Sequence, residues 1–322
     1  MKALTWQGKR DVRVESVPDP AIQEPTDAIV KITSTAICGS DLHLYEVLGA
    51  YLSPGDVLGH EPMGIVEEVG SEVTHIKAGD RVVVPFNISC GSCWMCSRGL
   101  YAQCETTQVR DQGKGAALFG YTSLYGSVPG GQAEYLRVPQ AHFGPVKVPH
   151  EHSDQRFLYL SDILPTAWQA VQYADVPKGG TLAVIGLGPV GQFACRIALQ
   201  LGVERVIGVD LVPERLALAQ AHGVEVLDTR TVDDVAATLV ELPVDAGPTP
   251  SSRRWAWRRT GPVWPRRRRR RSACCPTSWP GRSSTVSRST GSTRCTRRSR
   301  ACGAGGRCPS RASTAVRSTR CR

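Results

Sequence analysis

The chain has 322 residues, of which 41% are hydrophobic, and it carries a formal net charge of +10. This length is enough for two domains, each with a sizeable core. No apolar run approaches the ~20 residues that a membrane-spanning helix needs, and residues 1–20 lack the apolar segment of a signal peptide. The sequence therefore excludes an integral membrane protein. It predicts a soluble cytoplasmic protein with reduced cysteines.

The first part of the chain contains short stretches rich in β-branched residues, separated by glycine and proline. Three of them are DAIVKITSTAI from Asp27, GIVEEVGSEV from Gly64 and DRVVVPF from Asp80. Such stretches, bounded by turn-forming residues, are typical of strands. We therefore predict a mainly β domain over residues 1–157.

A cluster of cysteines with the spacing C-x2-C-x2-C-x7-C follows the third of these strands. Four thiolates this close suit tetrahedral zinc, and because all four positions are protein ligands, the predicted zinc is structural. An iron–sulfur cluster is the competing interpretation, since the gaps loosely resemble ferredoxin spacing. Disulfides are disfavoured in the cytosol. The predicted ligands are Cys90, Cys93, Cys96 and Cys104.

Strands and helices alternate from Gly180 onward, a pattern that predicts a parallel sheet. The predicted strands are TLAVIG, RVIGVD and VEVLD, and the predicted helices are PVGQFACRIALQLG, PERLALAQAHG and TVDDVAATLVEL. Thr231, with Asp234 three residues later, has capping-box spacing and predicts the start of the third helix. Cys195 lies on the apolar face of the first helix and is predicted to be core.

A glycine-rich turn joins the first of these strands to its helix. G-x-G-x-x-G in this context, with an acidic residue at the end of the second strand, is a dinucleotide signature. Gly186 permits the tight turn, Gly188 lets the pyrophosphate approach the backbone, and Gly191 allows close packing. The predicted nucleotide-binding residues are Gly186, Gly188, Pro189, Val190, Gly191 and Asp210.

The acidic residue also predicts the choice of nucleotide. Asp210 would accept hydrogen bonds from the adenosine ribose hydroxyls and repel a 2′-phosphate. The next residues, Leu211 and Val212, supply no cation. We therefore expect NAD rather than NADP.

A complete Rossmann domain has two βαβαβ halves, commonly six strands. Residues 158–246 supply three strands and the start of a fourth at VDA, residues 244–246. The predicted fold class is therefore α/β: a mainly β domain followed by a doubly wound parallel sheet whose second half is missing or replaced. That half would position the nicotinamide, so we expect hydride transfer by this chain to be impaired.

The last segment, residues 247–322, has a composition unlike the rest. It holds 21 of the 39 basic residues and none of the 29 acidic ones, so residues 1–246 carry 18 basic residues and a net charge of −11. It lacks Leu, Ile, Phe, Tyr and Met, which leaves almost nothing to bury and predicts disorder. One interpretation is a basic arm, with six arginines at 266–271, that binds nucleic acid. The composition favours the other, a GC-rich gene translated in the wrong frame.

Several motifs together resemble one family over residues 1–246. They are CGSDLH, GHEPMGIVEEVG, GDRVVVPF, the four-cysteine loop and GLGPVG, in the order found in the medium-chain, zinc-dependent alcohol dehydrogenases. That resemblance implies a GroES-like catalytic domain, a Rossmann domain, two zinc ions per subunit and a homo-oligomer. SDILPTAW is most similar to the branch that contains the glutathione-independent formaldehyde dehydrogenases.

The resemblance also implies roles for particular residues. The catalytic zinc would be held by Cys38, His60 and Asp162, leaving one position open. Glu61 would lie beside the metal as a neighbour or transient ligand. Ser40 would take the proton of the alcohol, and His43 would pass it toward solvent.

Asp41 would pair with His60. The remaining histidines have no partner spacing and are predicted to lie at the surface: His75, His142, His150, His152 and His222. The expected partner is a small alcohol or aldehyde. The two functions that stay open are an NAD-linked zinc dehydrogenase and a zinc-bearing protein that binds nucleic acid through its tail.

Overall fold

The computed structural model of the protein describes residues 1–241. The predicted fourth strand at 244–246, the arginine-rich segment and the interpretations attached to it lie outside the described residues. Within residues 1–241, no helix combines the length and apolar character needed to cross a membrane. The described residues belong to one compact unit, so the division at residues 157 and 158 stays a prediction.

The first part of the chain forms antiparallel sheets and one short helix. A hairpin pairs β1 with β2, and a five-stranded sheet has the order β6-β3-β4-β5-β7. The elements are β1 Lys2–Gly8, β2 Asp11–Ser16, β3 Ala28–Thr35, α1 Gly39–Glu46, β4 Pro62–Val69, β5 Arg81–Val83, β6 Tyr135–Val138 and β7 Val146–Lys147.

The core of this sheet forms from apolar side chains of strands β3, β4, β5 and β6. Val30, Val66, Val82 and Leu136 are each at most 1% exposed and belong to one cluster with Phe119. Burial of such side chains stabilises the fold by about 1.5–3 kcal/mol each. The predicted strands are present but shorter: β5 ends at Val83 because Pro85 has no N–H to donate to a ladder.

A buried arginine connects this sheet to the segment that leads into the second half of the structure. Arg81 Nη1 donates hydrogen bonds to the carbonyl oxygens of Pro149 (2.6 Å) and His152 (2.7 Å), and Nη2 pairs with Asp154. The backbone N–H of Phe86 then donates to Ser161 O at 3.0 Å. These bonds attach the chain just before Asp162 to the sheet.

The second part alternates helices with parallel strands, as the sequence predicts. The three strands have the order β10-β9-β8, and both pairings are parallel. The elements are α2 Ile163–Ala174, β8 Thr181–Ile185, α3 Pro189–Gln200, β9 Arg205–Asp210, α4 Pro213–Gln220, β10 Glu225–Asp228 and α5 Val235–Glu241.

One face of this sheet is covered by α2, α3 and α4. Leu182, Val206, Ala167 and Cys195 are buried in their common cluster. Cys195 is fully buried there, and burial raises the pKa of its thiol to about 12. Its predicted place in the core is therefore confirmed.

The start of the last helix differs from the prediction. Helix α5 begins at Val235, and Asp234 caps it: its Oδ1 accepts hydrogen bonds from the N–H groups of Ala236 (2.8 Å) and Ala237 (3.0 Å). Thr231 instead bonds back to Asp228 O in the preceding turn. The capping-box interpretation is wrong because aspartate is itself a strong N-cap residue.

Candidate functional site

A cluster of four potential metal ligands lies where the two parts of the structure meet. One donor atom from each of Cys38, His60, Glu61 and Asp162 lies within 4.8 Å of the others. Asp162 Oδ2 is 3.2 Å from His60 Nε2 and 3.7 Å from Cys38 Sγ. The structure thus brings together residues that are up to 124 positions apart in the chain.

Local structure positions two of these side chains. Cys38 is the residue before α1, and its N–H donates to Asp41 Oδ2 at 2.8 Å. His60 and Glu61 lie immediately before β4 and follow Gly59, whose φ of +99° favours glycine. A Cβ at Gly59 would also overlap Gln132. The sharp turn at Gly59 therefore directs the two side chains into the interior.

The cluster has more acidic groups than the described side chains can neutralise. Burial lowers the pKa of His60, but the neighbouring carboxylates of Asp162 and Asp41 outweigh it and raise that pKa to about 12. Burial and the charge of Asp162 raise the pKa of Glu61 to about 7, and Glu61 Oε1 has no hydrogen-bond partner among residues 1–241. Because the site favours added positive charge and offers S, N and O donors, zinc fits it.

Three further predicted residues surround this cluster. Ser40 Oγ is 3.1 Å from Cys38 Sγ and 3.4 Å from His60 Nε2. Asp41 Oδ1 lies 3.1 Å from His60 Nδ1, at ion-pair distance but without hydrogen-bond geometry. His43 lies one turn along α1 and is half-buried. Ser40 therefore lies beside the cluster, and both its proton exchange and the further transfer to His43 stay predictions.

The four-cysteine loop forms a second cluster. The Sγ atoms of Cys90, Cys93, Cys96 and Cys104 lie within 4.8 Å of one another. Backbone N–H groups donate to three of these sulfurs: Cys93 N to Cys90 at 3.3 Å, Cys96 N to Cys93 at 3.5 Å and Cys90 N to Cys104 at 3.4 Å.

The thiols of this loop differ in acidity. Burial raises the pKa of Cys90, yet hydrogen bonds from Thr106, Ser92 and Cys93 lower it to about 5. Burial and the neighbouring Cys93 raise the pKa of Cys96 to about 12. Four adjacent thiolates repel one another unless a cation lies between them. The donor set therefore fits zinc, which binds four thiolates tetrahedrally.

The glycine-rich turn adopts the expected strand–turn–helix arrangement. Gly186 has φ +90°, and Gly188 is the N-cap of α3 with Pro189 as its first residue. A Cβ at Gly191 would overlap Gly186 O, whereas one at Gly188 would meet nothing within 4 Å among the described residues. The open space at Gly188 lies at a helix N-terminus, which suits a pyrophosphate.

Asp210 supports this turn. Its Oδ2 accepts a hydrogen bond from Leu187 N at 2.6 Å, and Oδ1 accepts from the N–H groups of Leu211 and Val212. Burial raises the pKa of Asp210, but these bonds outweigh it and hold that pKa below its usual value. Oδ2 accepts one hydrogen bond and has capacity for another.

Sequence reasoning missed two contacts around these sites. Arg215 Nη1 lies 3.7 Å from Asp210 Oδ2, so a cation is present beside this carboxylate although Leu211 and Val212 supply none. His142 is half-buried, with Nε2 3.0 Å from Cys90 O, so its predicted surface position is wrong. Arg215 lies five residues after Asp210, so the first turn of α4 could have indicated it. His142 is brought in by the fold of the four-cysteine loop, which no local pattern shows.

The chain is similar to known proteins over its first three quarters. Residues 24–150 match the family model of the alcohol dehydrogenase GroES-like domain. An uncharacterized zinc-type alcohol dehydrogenase-like protein of Bacillus subtilis (strain 168) is 47% identical over 245 residues, and the glutathione-independent formaldehyde dehydrogenase of Pseudomonas aeruginosa (strain LESB58) is 38% identical over 259 residues. These alignments cover 75% and 76% of this chain, respectively, but only 64% and 63% of the relatives.

A solved structure supports the same relationship. The alcohol dehydrogenase TADH from Thermus sp. ATN1 has a TM-score of 0.68 and 37% sequence identity. The match covers 75% of this chain and 67% of that one. The predicted fold class, a GroES-like domain combined with an α/β sheet, is therefore confirmed.

Proposed function

Because the chain belongs to the zinc-type medium-chain alcohol dehydrogenase family, we propose that it is an oxidoreductase that transfers a hydride from an alcohol to NAD. A hydrated aldehyde such as formaldehyde is a second candidate substrate, supported by the 38% identity to a glutathione-independent formaldehyde dehydrogenase. The observation that carries the proposal is the donor cluster of Cys38, His60, Glu61 and Asp162.

Two zinc ions per chain are part of the proposal. Cys38, His60 and Asp162 would hold one, with Glu61 beside it, and Cys90, Cys93, Cys96 and Cys104 would hold the other. Zinc at the first site, when bound, supplies a Lewis acid next to the substrate oxygen. The four-cysteine site offers no open position, so its zinc would stabilise the loop.

The chain's own residues would handle the proton and the orientation. Ser40 Oγ, 3.4 Å from His60 Nε2, would accept the proton of the alcohol hydroxyl. His43, in the next turn of α1, would pass that proton toward solvent. Asp41, 3.1 Å from His60 Nδ1, would hold the imidazole so that Nε2 faces the cluster.

The nucleotide would bind at the glycine-rich turn. The N–H groups at the start of α3, with the open space at Gly188, would receive the pyrophosphate. Asp210 would accept a hydrogen bond from the adenosine ribose. The preference for NAD rests on the carboxylate of Asp210, which would repel a 2′-phosphate. Arg215 lies close enough to Asp210 to offset part of that repulsion.

Two alanine substitutions separate binding from folding at this turn. Gly191→Ala should lower the free energy of unfolding by about 1–3 kcal/mol, because its Cβ overlaps Gly186 O. Gly188→Ala should cost only about 1 kcal/mol or less of that free energy, since its Cβ is sterically free and φ is −66° and alanine is only a poorer N-cap, but it should weaken NAD binding measured by calorimetry. Equal NAD affinity in Gly188→Ala and the parent would contradict the proposed nucleotide site.

The activity itself is tested with the purified, zinc-loaded chain. We expect NADH to form from a panel of primary alcohols and formaldehyde, more slowly than with a relative assayed beside it, because the alignments cover only 64% and 63% of the matched relatives. Absence of NADH formation at every substrate, in protein that carries both zinc ions, would refute the proposed activity.

A further inference from the structure

Thr166, in the first turn of α2, makes an unusual hydrogen bond. A helical threonine commonly turns its hydroxyl to the carbonyl oxygen four residues earlier. The backbone N–H of Thr166 makes the ordinary helical bond to that carbonyl, Asp162 O, at 2.9 Å, which leaves a second lone pair available to a hydroxyl. The Thr166 hydroxyl instead donates to the carboxylate of the same residue, with Oγ1 2.7 Å from Asp162 Oδ1.

The two oxygens of the Asp162 carboxylate therefore have different partners. Asp162 occupies the N-cap position of α2, yet its side chain makes no capping hydrogen bond, although aspartate there usually does. Oδ1 faces Thr166, and Oδ2 faces His60 Nε2 at 3.2 Å and Cys38 Sγ at 3.7 Å. The carboxylate is 12% exposed, so its orientation depends on these protein partners more than on water.

We propose that Thr166 is a positioning residue that orients Asp162 so that Oδ2 is presented to the metal. This inference rests on the proposed function, because it concerns the same zinc site. A thiolate has a single donor atom, but a carboxylate has two oxygens and can rotate about its last bond. An aspartate ligand therefore needs a partner that fixes this rotation with one oxygen toward the metal, and the hydroxyl four residues along the helix supplies it.

The test measures zinc affinity at each site by competition with a chelator. Thr166→Val, which keeps the shape and removes the donor, should weaken binding at the Cys38 site roughly 10- to 100-fold. Thr166→Ser keeps the hydroxyl and should stay within about threefold of the parent. Affinity at the four-cysteine site should be unchanged in both variants. Thr166→Ala provides a second deletion of the hydroxyl with higher helix propensity, and it should show the same loss.

A double-mutant cycle identifies the route of the effect. In an Asp162→Cys background there is no second oxygen to select, so Thr166→Val should then change the affinity less than about threefold. An equal loss in both backgrounds, or parent-like affinity in Thr166→Val and Thr166→Ala, would overturn the inference while leaving the proposed function intact. A parent chain that binds no zinc at the Cys38 site would overturn both.

Discussion

Replacing Cys104 with serine should remove one of two zinc ions and lower the free energy of unfolding by more than about 4 kcal/mol. Cys104 is fully buried, and its Sγ accepts the N–H of Cys90 at 3.4 Å. The loop around it buries few apolar side chains besides the cysteines and Ala116. A zinc ion bound there would therefore contribute most of the folding free energy of the loop, because binding a structural zinc is coupled to folding.

Elemental analysis and urea unfolding of purified protein would measure this. Cys195→Ser is the matched control: the same chemical change at another fully buried cysteine, outside both donor clusters. This variant should keep two zinc ions. Its free energy of unfolding should fall by about 1–3 kcal/mol, because a hydroxyl is buried in the core. A Cys104→Ser protein that retained both ions would refute the assignment of this loop as a zinc site.

Replacing Cys38 with serine should leave one zinc ion and slow NADH formation by at least roughly a thousandfold. Loss of the Lewis acid removes several kcal/mol of transition-state stabilisation, and each 1.4 kcal/mol corresponds to a factor of about ten in rate. Cys38 is partly exposed and precedes a short helix, so the urea midpoint should change little once both proteins are compared without metal.

Ser40→Ala is the control that separates metal binding from proton transfer. Ser40 Oγ is 3.1 Å from Cys38 Sγ, but the proposed zinc ligands are all intact in this variant. It should keep two zinc ions and slow NADH formation by about a hundredfold or more, as expected for loss of a proton-transfer group. Loss of the same zinc ion in Ser40→Ala and Cys38→Ser would show that Ser40 supports the metal instead.

Most strands and helices of the second part of the structure can be predicted from local sequence pattern. The alternation after Gly180 predicts β8, α3, β9, α4 and β10 because each element has its own apolar period and turn residues. Helix starts depend on more than local pattern: α5 begins at Val235 and is capped by Asp234, not by Thr231. Both residue types are acceptable caps, so the choice depends on how the turn packs.

The four-cysteine cluster and the glycine-rich turn were predictable from local spacing, because their members lie within fifteen and six residues and short chain segments can bring such neighbours together unaided. The cluster of Cys38, His60, Glu61 and Asp162 is different: the sequence indicated it only through the family resemblance, and the fold assembles it where the starts of β4, α1 and α2 meet. Cys38 and Asp162 are 124 residues apart, and no local period relates them. The hydrogen bond from Thr166 to Asp162 depends on both the local sequence and the tertiary structure. Helical periodicity places the Thr166 hydroxyl beside the residue four positions earlier, and only the fold turns the Asp162 carboxylate toward His60.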